Sequence, residues 1–184
     1  MRKDKLWDIA LSQKGYVSTF DARNIGLSSA DLYDMVRLDQ LVRSMPTVYH
    51  FIDYPSSDNE ELMKVWLWAG TETAVISHDT MLAKYELSDI LPSKTHITIP
   101  KGKRIRKSGG ELIEIHKENL QSDEITWFDE VRVVTPFVAI RQCIDTLVPL
   151  HLINQAIETA EEKKMITADQ KIELLKRRKD KYGV

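Results

Sequence analysis

The stretch GYVSTFDARNIGLSSADLYDMVRLDQLVRSMPTVYHF, residues 15–51, decides the fold. Gly15 ends a preceding helical pattern, Asp4 to Gln13, whose Leu6, Trp7, Ile9 and Ala10 fall on or near one face. Two helix openings of the same kind follow, Ser18-Thr19-Phe20-Asp21 and Ser28-Ser29-Ala30-Asp31. Each has Ser at the N-cap and Asp at N3, a weaker variant of the capping box, in which Glu or Gln is the usual reciprocal partner. Gly26 closes the second helix. Leu41-Val42-Arg43, a turn at Ser44-Met45-Pro46-Thr47, and Val48-Tyr49-His50-Phe51 then make a hairpin pattern. Helix, helix, short turn, helix, hairpin is the order of a winged helix-turn-helix, an arrangement that commonly sets its last helix in a major groove.

The third helix sorts by face. Leu32, Met35 and Val36 share one side at helical spacing and are expected to pack inward. Ser28 and Ser29 at its start, with Ala30, Tyr33 and Arg37, fall on the other. Ser, Tyr and Arg bond phosphate oxygens or base edges. Arg43 and Ser44 stand where a wing meets the nucleic-acid backbone, and Arg23 ends the second helix. The plain alternative is a solvated helix face. Charge does not separate the two readings. Arg2, Lys3, Lys5, Lys14, Arg23, Arg37 and Arg43 oppose Asp4, Asp8, Asp21, Asp31, Asp34, Asp39 and Asp53, which leaves the first 54 residues neutral. Strong DNA binders carry a basic surplus, because phosphate contacts supply much of the affinity. A neutral head therefore calls for a second copy or a second basic patch.

The chain has 184 residues, 42% of them hydrophobic, and a formal net charge of −2, values that suit one mid-sized globular domain or two small ones. The single cysteine, Cys143, sits in an apolar segment and reads as a buried thiol. No apolar run approaches the roughly 18 residues of a membrane span, and the N-terminus lacks a signal-peptide pattern, so a cytoplasmic protein is expected. Tyr54-Pro55-Ser56-Ser57-Asp58-Asn59 reads as a linker. It divides an expected head, 1–55, from a second domain, 60–184. In the second domain the pattern is mixed. Glu60 to Ala69 reads as a helix facing inward through Leu62, Val65, Trp66 and Ala69. Ser77 is expected to cap a helix carrying Met81, Leu82 and Tyr85. His96–Pro100, Glu111–His116 and Val131–Val134 look like strands. Pro136–Leu147 and Leu150–Lys163 look helical, and Thr167-Ala168-Asp169-Gln170 is a capping box for a last, basic helix. The expected class is thus mixed α/β (α+β), a winged helix-turn-helix followed by a mixed α/β C-terminal domain.

Three segments carry a family resemblance. The first holds Gly15-Tyr16-Val17-Ser18-Thr19, Gly26-Leu27-Ser28, Leu41-Val42-Arg43 and Val48-Tyr49. The second is Ala74-Val75-Ile76-Ser77-His78-Asp79-Thr80-Met81-Leu82 with Tyr85-Glu86-Leu87-Ser88-Asp89-Ile90-Leu91-Pro92. The third is His96-Ile97-Thr98-Ile99-Pro100, Arg104, Arg106 and Val134-Thr135-Pro136. In this order the chain resembles the AbiEi family of bacterial type IV toxin–antitoxin antitoxins, the abortive phage infection proteins. The resemblance implies a head that binds operator DNA and represses its own operon, and a C-terminal domain that counters a nucleotidyltransferase-type toxin. The chain departs from the family pattern at Asp39-Gln40 before the wing and at Met45-Pro46-Thr47 in its turn. It departs again at Val138 and Gln142, where an Arg and an Asp are usual.

Lys101, Lys103, Arg104, Arg106 and Lys107 put five cations in seven residues of a strand connection, a candidate patch for DNA, RNA or an acidic partner. The alternative is a solvated loop offset by Glu111, Glu114 and Glu118. Two His-x-Thr triplets, His78-Asp79-Thr80 and His96-Ile97-Thr98, superficially resemble those of the 2H phosphoesterases. That chemistry needs both imidazoles on facing strands within reach of one phosphate. Glu161-Glu162-Lys163 has the spacing of a metal-nuclease motif but lies in a charged helix. No zinc-ligand cluster, glycine-rich phosphate loop or paired nucleophile and base is evident, so no catalytic residue, metal or cofactor is expected. The sequence reads as an autorepressing antitoxin with operator DNA and a toxin as partners and two copies accommodated on an inverted repeat. The rivals are a phosphodiester-cleaving enzyme using His78 and His96, and a winged-helix protein-interaction module.

Overall fold

A computed structural model describes residues 2–183, and the chain is mixed α+β. It forms two compact units. The first comprises 1–74, 104–111 and 128–131, and the second 75–103, 112–127 and 132–184.

The first unit opens α1 (Arg2–Leu11), β1 (Tyr16–Ser18), α2 (Thr19–Asn24), α3 (Ser29–Arg37), β2 (Leu41–Met45) and β3 (Val48–Phe51). Both capping boxes form. The Ser18 and Ser28 hydroxyls accept from the N–H groups of Asp21 and Asp31, and each carboxylate takes the cap residue's own N–H at 2.7 Å. Asp is shorter than Glu, yet it closes the box here. The sequence reading missed β1. Three residues give no alternation to read, and β1 is a strand only because β3 pairs with it, Val17 opposite Tyr49, in a sheet ordered β1-β3-β2. Leu6, Ala10, Val17, Leu32, Met35, Leu41 and Phe51 form the core, and Trp7 meets Phe51 edge to face.

The unit does not stop at the Tyr54–Asn59 segment. α4 (Glu60–Ala69) belongs to it and packs on β1, β2 and β3. Leu62, Val65, Trp66 and Ala69 are buried as expected, but Met63, Leu67 and Trp68 are buried too, so the helix is covered nearly all round. The Trp66 indole donates to the Ala74 carbonyl and the Trp68 indole to that of Ser108, both at 2.9 Å. A polar linker therefore joins two parts of one core, which composition alone does not reveal.

The second unit carries β4 (Val75–Ile76), α5 (His78–Lys84), β5 (Thr95–Ile99), β6 (Ile113–Lys117), β7 (Ile125–Phe128), β8 (Val131–Val134), α6 (Pro136–Asp145), α7 (Leu150–Glu162) and α8 (Ala168–Tyr182). Its sheet runs β6-β5-β4-β8-β7, with β5 parallel to β6 and β4 parallel to β8. The tip of the β7–β8 hairpin groups with the first unit, where Asp129 meets Lys14 at 2.9 Å. β4 and β7 were not legible in the sequence. Thr135 caps α6, and the Thr167–Gln170 box caps α8 as expected. α6 packs against α5, α7 and α8, and Cys143 is fully buried in it. Among the described residues no helix is long and apolar enough to cross a membrane.

Two glycines in the β5–β6 connection make a controlled comparison. Gly109 has φ +83°, and a Cβ there would sit 2.6 Å from the Pro46 ring, while one at Gly102 meets nothing within 4 Å. Gly109→Ala is expected to cost about 1–3 kcal/mol and lower Tm by several degrees in a thermal melt, whereas Gly102→Ala leaves it unchanged or slightly raised. Equal Tm values for the two variants would contradict this packing.

Candidate functional site

The exposed surface of α3 and β2 is the first candidate. α3 buries Leu32 and Met35, which turns Tyr33 outward at 68% exposure and leaves Arg37 exposed beside it. Arg37 pairs with Asp34 of its own helix, at 3.7 Å, and both side chains are mostly in solvent. Such a pair is worth well under about 1 kcal/mol and yields readily to a phosphate. Arg23, Ser29 and Arg43 are also exposed. Two expected contacts are otherwise engaged. The Ser28 hydroxyl donates to Asp31 at 2.6 Å while accepting its N–H, so the capping box consumes it. The Ser44 hydroxyl bonds the Tyr16 phenol. The turn after β2 places Thr47 at φ +70°.

The basic run is shared between the two units. Lys101, Lys103, Arg104 and Arg106 are exposed. Lys107 is exposed as well, while its ammonium donates to the Trp68 carbonyl at 2.7 Å and partial loss of solvent there lowers its pKa. Lys101 and Lys103 belong to the second unit and Arg104, Arg106 and Lys107 to the first.

The second candidate lies inside the second unit. Ser77 precedes α5 but does not cap it. Its hydroxyl lies 2.9 Å from His78 Nδ1 and accepts from Thr98 at 2.8 Å. Gln142 of α6 donates to Thr98 at 3.4 Å and to Glu118 at 2.7 Å, and its carbonyl oxygen accepts the His78 N–H at 3.4 Å. Arg141 pairs with Glu118 and Glu124. In the run Gln142, Thr98, Ser77 each donor points toward His78, an order in which the Ser77 hydroxyl is free to donate to Nδ1. Ser77, His78, Thr98 and Gln142 are all buried. His78 also holds φ +53°, a strained setting for a histidine that the surrounding bonds maintain.

His116 joins the pair that the triplets suggested. Its ring stacks on His78 with centroids 3.5 Å apart and planes 15° apart, and its Nε2 lies 3.1 Å from His96 Nδ1. No triplet marks His116. It reaches His96 because β5 and β6 are in parallel register, with His116 opposite Thr98. The structure thus brings His78 and His96 together, at 6.0 Å between centroids, but His116 packs against both and His78 is only 4% exposed. A phosphate has no place between them. Stacked rings also cannot aim their in-plane lone pairs at one ion, and among the described residues no group of His, Cys, Asp and Glu is arranged to hold a metal. Burial, the first cause, and neighbouring imidazoles keep the His78 and His116 pKa values below the ordinary value. Burial also lowers that of His96, against the pull of Asp79 and Glu114. Replacing His78 and His96 by Ala, harmless to folding on the sequence reading, removes core contacts instead. The Glu161-Glu162-Lys163 motif is structural as well, since Lys163 donates to the Tyr85 and Glu86 carbonyls.

Linkage gives this cluster a signature. The unfolded chain takes up protons near pH 6.5 while the folded imidazoles stay neutral, so stability is full above that pH and falls as pH drops below it. The urea midpoint is expected to fall between pH 7.5 and pH 5.5. His78→Asn, which tolerates the left-handed backbone, should remove about one proton from the dependence, near 1.4 kcal/mol per pH unit. An unchanged slope in that variant would show that His78 is not held neutral.

No family model matches the chain, and no curated protein matches it. A solved structure described as the RV2827C protein from Mycobacterium tuberculosis has a similar fold, with a TM-score of 0.53 and 10% identity over 96% of this chain and 81% of that one. At that identity the likeness is one of fold.

Proposed function

We propose that the chain is a cytoplasmic, DNA-binding antitoxin of the AbiEi type, one that represses its own operon and counteracts a nucleotidyltransferase-type toxin. The observation that carries the DNA-binding part is the outward face of α3, with Tyr33 and Arg37 in solvent opposite a buried Leu32 and Met35. The element order α1-β1-α2-α3-β2-β3 supports reading this region as a winged helix, with α3 for the groove and Arg43 on the wing strand. Arg23, Ser29, Tyr33, Arg37 and Arg43 are the contact set, with Ser28 and Ser44 reassigned to structural roles. A neutral head favours binding as two copies on an inverted repeat, or help from Lys101, Lys103, Arg104 and Arg106. The antitoxin part rests on the ordered family motifs. The buried imidazoles speak against the phosphodiesterase alternative, because a substrate has no access to His78.

The test is an electrophoretic shift with the DNA upstream of the chain's own gene against a scrambled duplex. Preferential binding is expected. Arg37→Ala and Arg43→Ala should each weaken it and lower the salt slope by about 1. Equal affinity for both duplexes would sink the operator reading and leave a protein-contact module. Co-expression with a neighbouring nucleotidyltransferase should relieve its toxicity, and continued growth arrest would sink the antitoxin reading.

A further inference from the structure

The outward face of α3 carries one group that opposes DNA binding. Ala30, Tyr33, Asp34 and Arg37 fall at i, i+3, i+4 and i+7, a single stripe opposite the buried Leu32 and Met35, and all four are exposed. Asp34 is the anion of that stripe. The acids nearby have structural work. In the capping boxes of α2 and α3, Oδ2 of Asp21 and of Asp31 accepts both the N–H and the hydroxyl of the cap serine. Asp34 lies past the first turn of α3, where the helix dipole no longer favours a negative charge. Its pairing with Arg37 spans 3.7 Å with both side chains mostly in solvent, so it contributes little to stability.

With α3 read as the groove helix, on which this inference rests, the carboxylate meets a polyanion and is repelled by phosphates whatever the sequence. When Arg37 turns to a phosphate, Asp34 also loses its cation. Only the exocyclic amino groups of the major groove can then satisfy it. Cytosine N4 and adenine N6 donate, whereas guanine N7 and O6 and thymine O4 are acceptors. Adenine N6 is flanked by two acceptors, its own N7 and O4 of the paired thymine, while cytosine N4 has an acceptor only on the guanine side. A lone carboxylate therefore suits cytosine best. We propose that Asp34 is a specificity-determining residue, which accepts a hydrogen bond from cytosine N4 at a C·G pair of the operator and weakens binding to other sequences. It lowers general affinity and raises discrimination, the use of repulsion against wrong partners. A merely solvated aspartate would lower affinity for every duplex alike.

The experiment compares the full-length wild type, Asp34→Ala and Asp34→Asn by electrophoretic shift at fixed salt, on the DNA upstream of the chain's own gene and on a scrambled duplex. Position 34 is exposed, so both variants should keep the wild-type Tm. Asp34→Ala is expected to bind the scrambled duplex several-fold more tightly and to lose about tenfold of the wild-type preference for the upstream DNA. Replacing the C·G pairs of that DNA one at a time by T·A should locate a position that costs the wild type about tenfold and Asp34→Ala less than about twofold. At that position Asp34→Asn should favour adenine, because its amide can bond N6 and N7 together. Wild-type preference kept in full by Asp34→Ala, or a C·G scan that affects both proteins alike, would overturn this inference and leave the operator reading standing. Equal wild-type affinity for both duplexes would overturn both.

Discussion

The second unit depends on one buried run of hydrogen bonds, from Gln142 through Thr98 and Ser77 to His78. Its members come from α6, β5, the end of β4 and the start of α5, and His116 on β6 stacks on the last of them. Each polar group is buried, so each costs free energy until its partner arrives. An apolar core tolerates small slips in packing, whereas a directional network is satisfied in only one register. Moving β6 by one residue against β5 would turn His116 away from His78 and His96. The strained backbone at His78 is held by the same bonds, with its N–H on Gln142 and its ring on Ser77 and His116.

The first unit is organised by local rules. Two Ser–Asp boxes start α2 and α3 and fix where each helix begins, and so which faces Leu32 and Tyr33 take. The same boxes consume the Ser28 hydroxyl, while Ser29, Tyr33, Arg37 and Arg43 stay exposed. α4 closes the unit with two tryptophans whose indoles bond backbone carbonyls, a way of burying large side chains without stranding a donor.

The head is neutral over its first 54 residues, so any attraction it exerts on a polyanion is weak. The basic connection between β5 and β6 keeps all five cations exposed, and the Lys107 ammonium also donates to the Trp68 carbonyl. That contact ties the Lys107 ammonium to the first unit, where five basic positions among seven residues in the sequence would suggest a single surface patch.

Local features were legible in the sequence because they are decided within a few residues. The capping boxes at Ser18, Ser28 and Thr167, the periodicity of α3, the hairpin around Pro46-Thr47, the strand at Val131–Val134 and the buried Cys143 all belong here. What escaped it depends on partners distant in the chain. β1 is a strand because β3 lies beside it, and β4 is only two residues long and defined by Thr98 and Val133. His116 carries no motif and acquires its role from parallel pairing, while Gln142 stood out only as a departure from a family pattern and proves to be the hub of the buried network. The sequence by itself determined where the helices start and which faces are apolar, since caps and periodicity act over one or two turns. Only the tertiary structure decided which polar side chains are buried together, since that is set by strand register and helix packing between residues tens of positions apart.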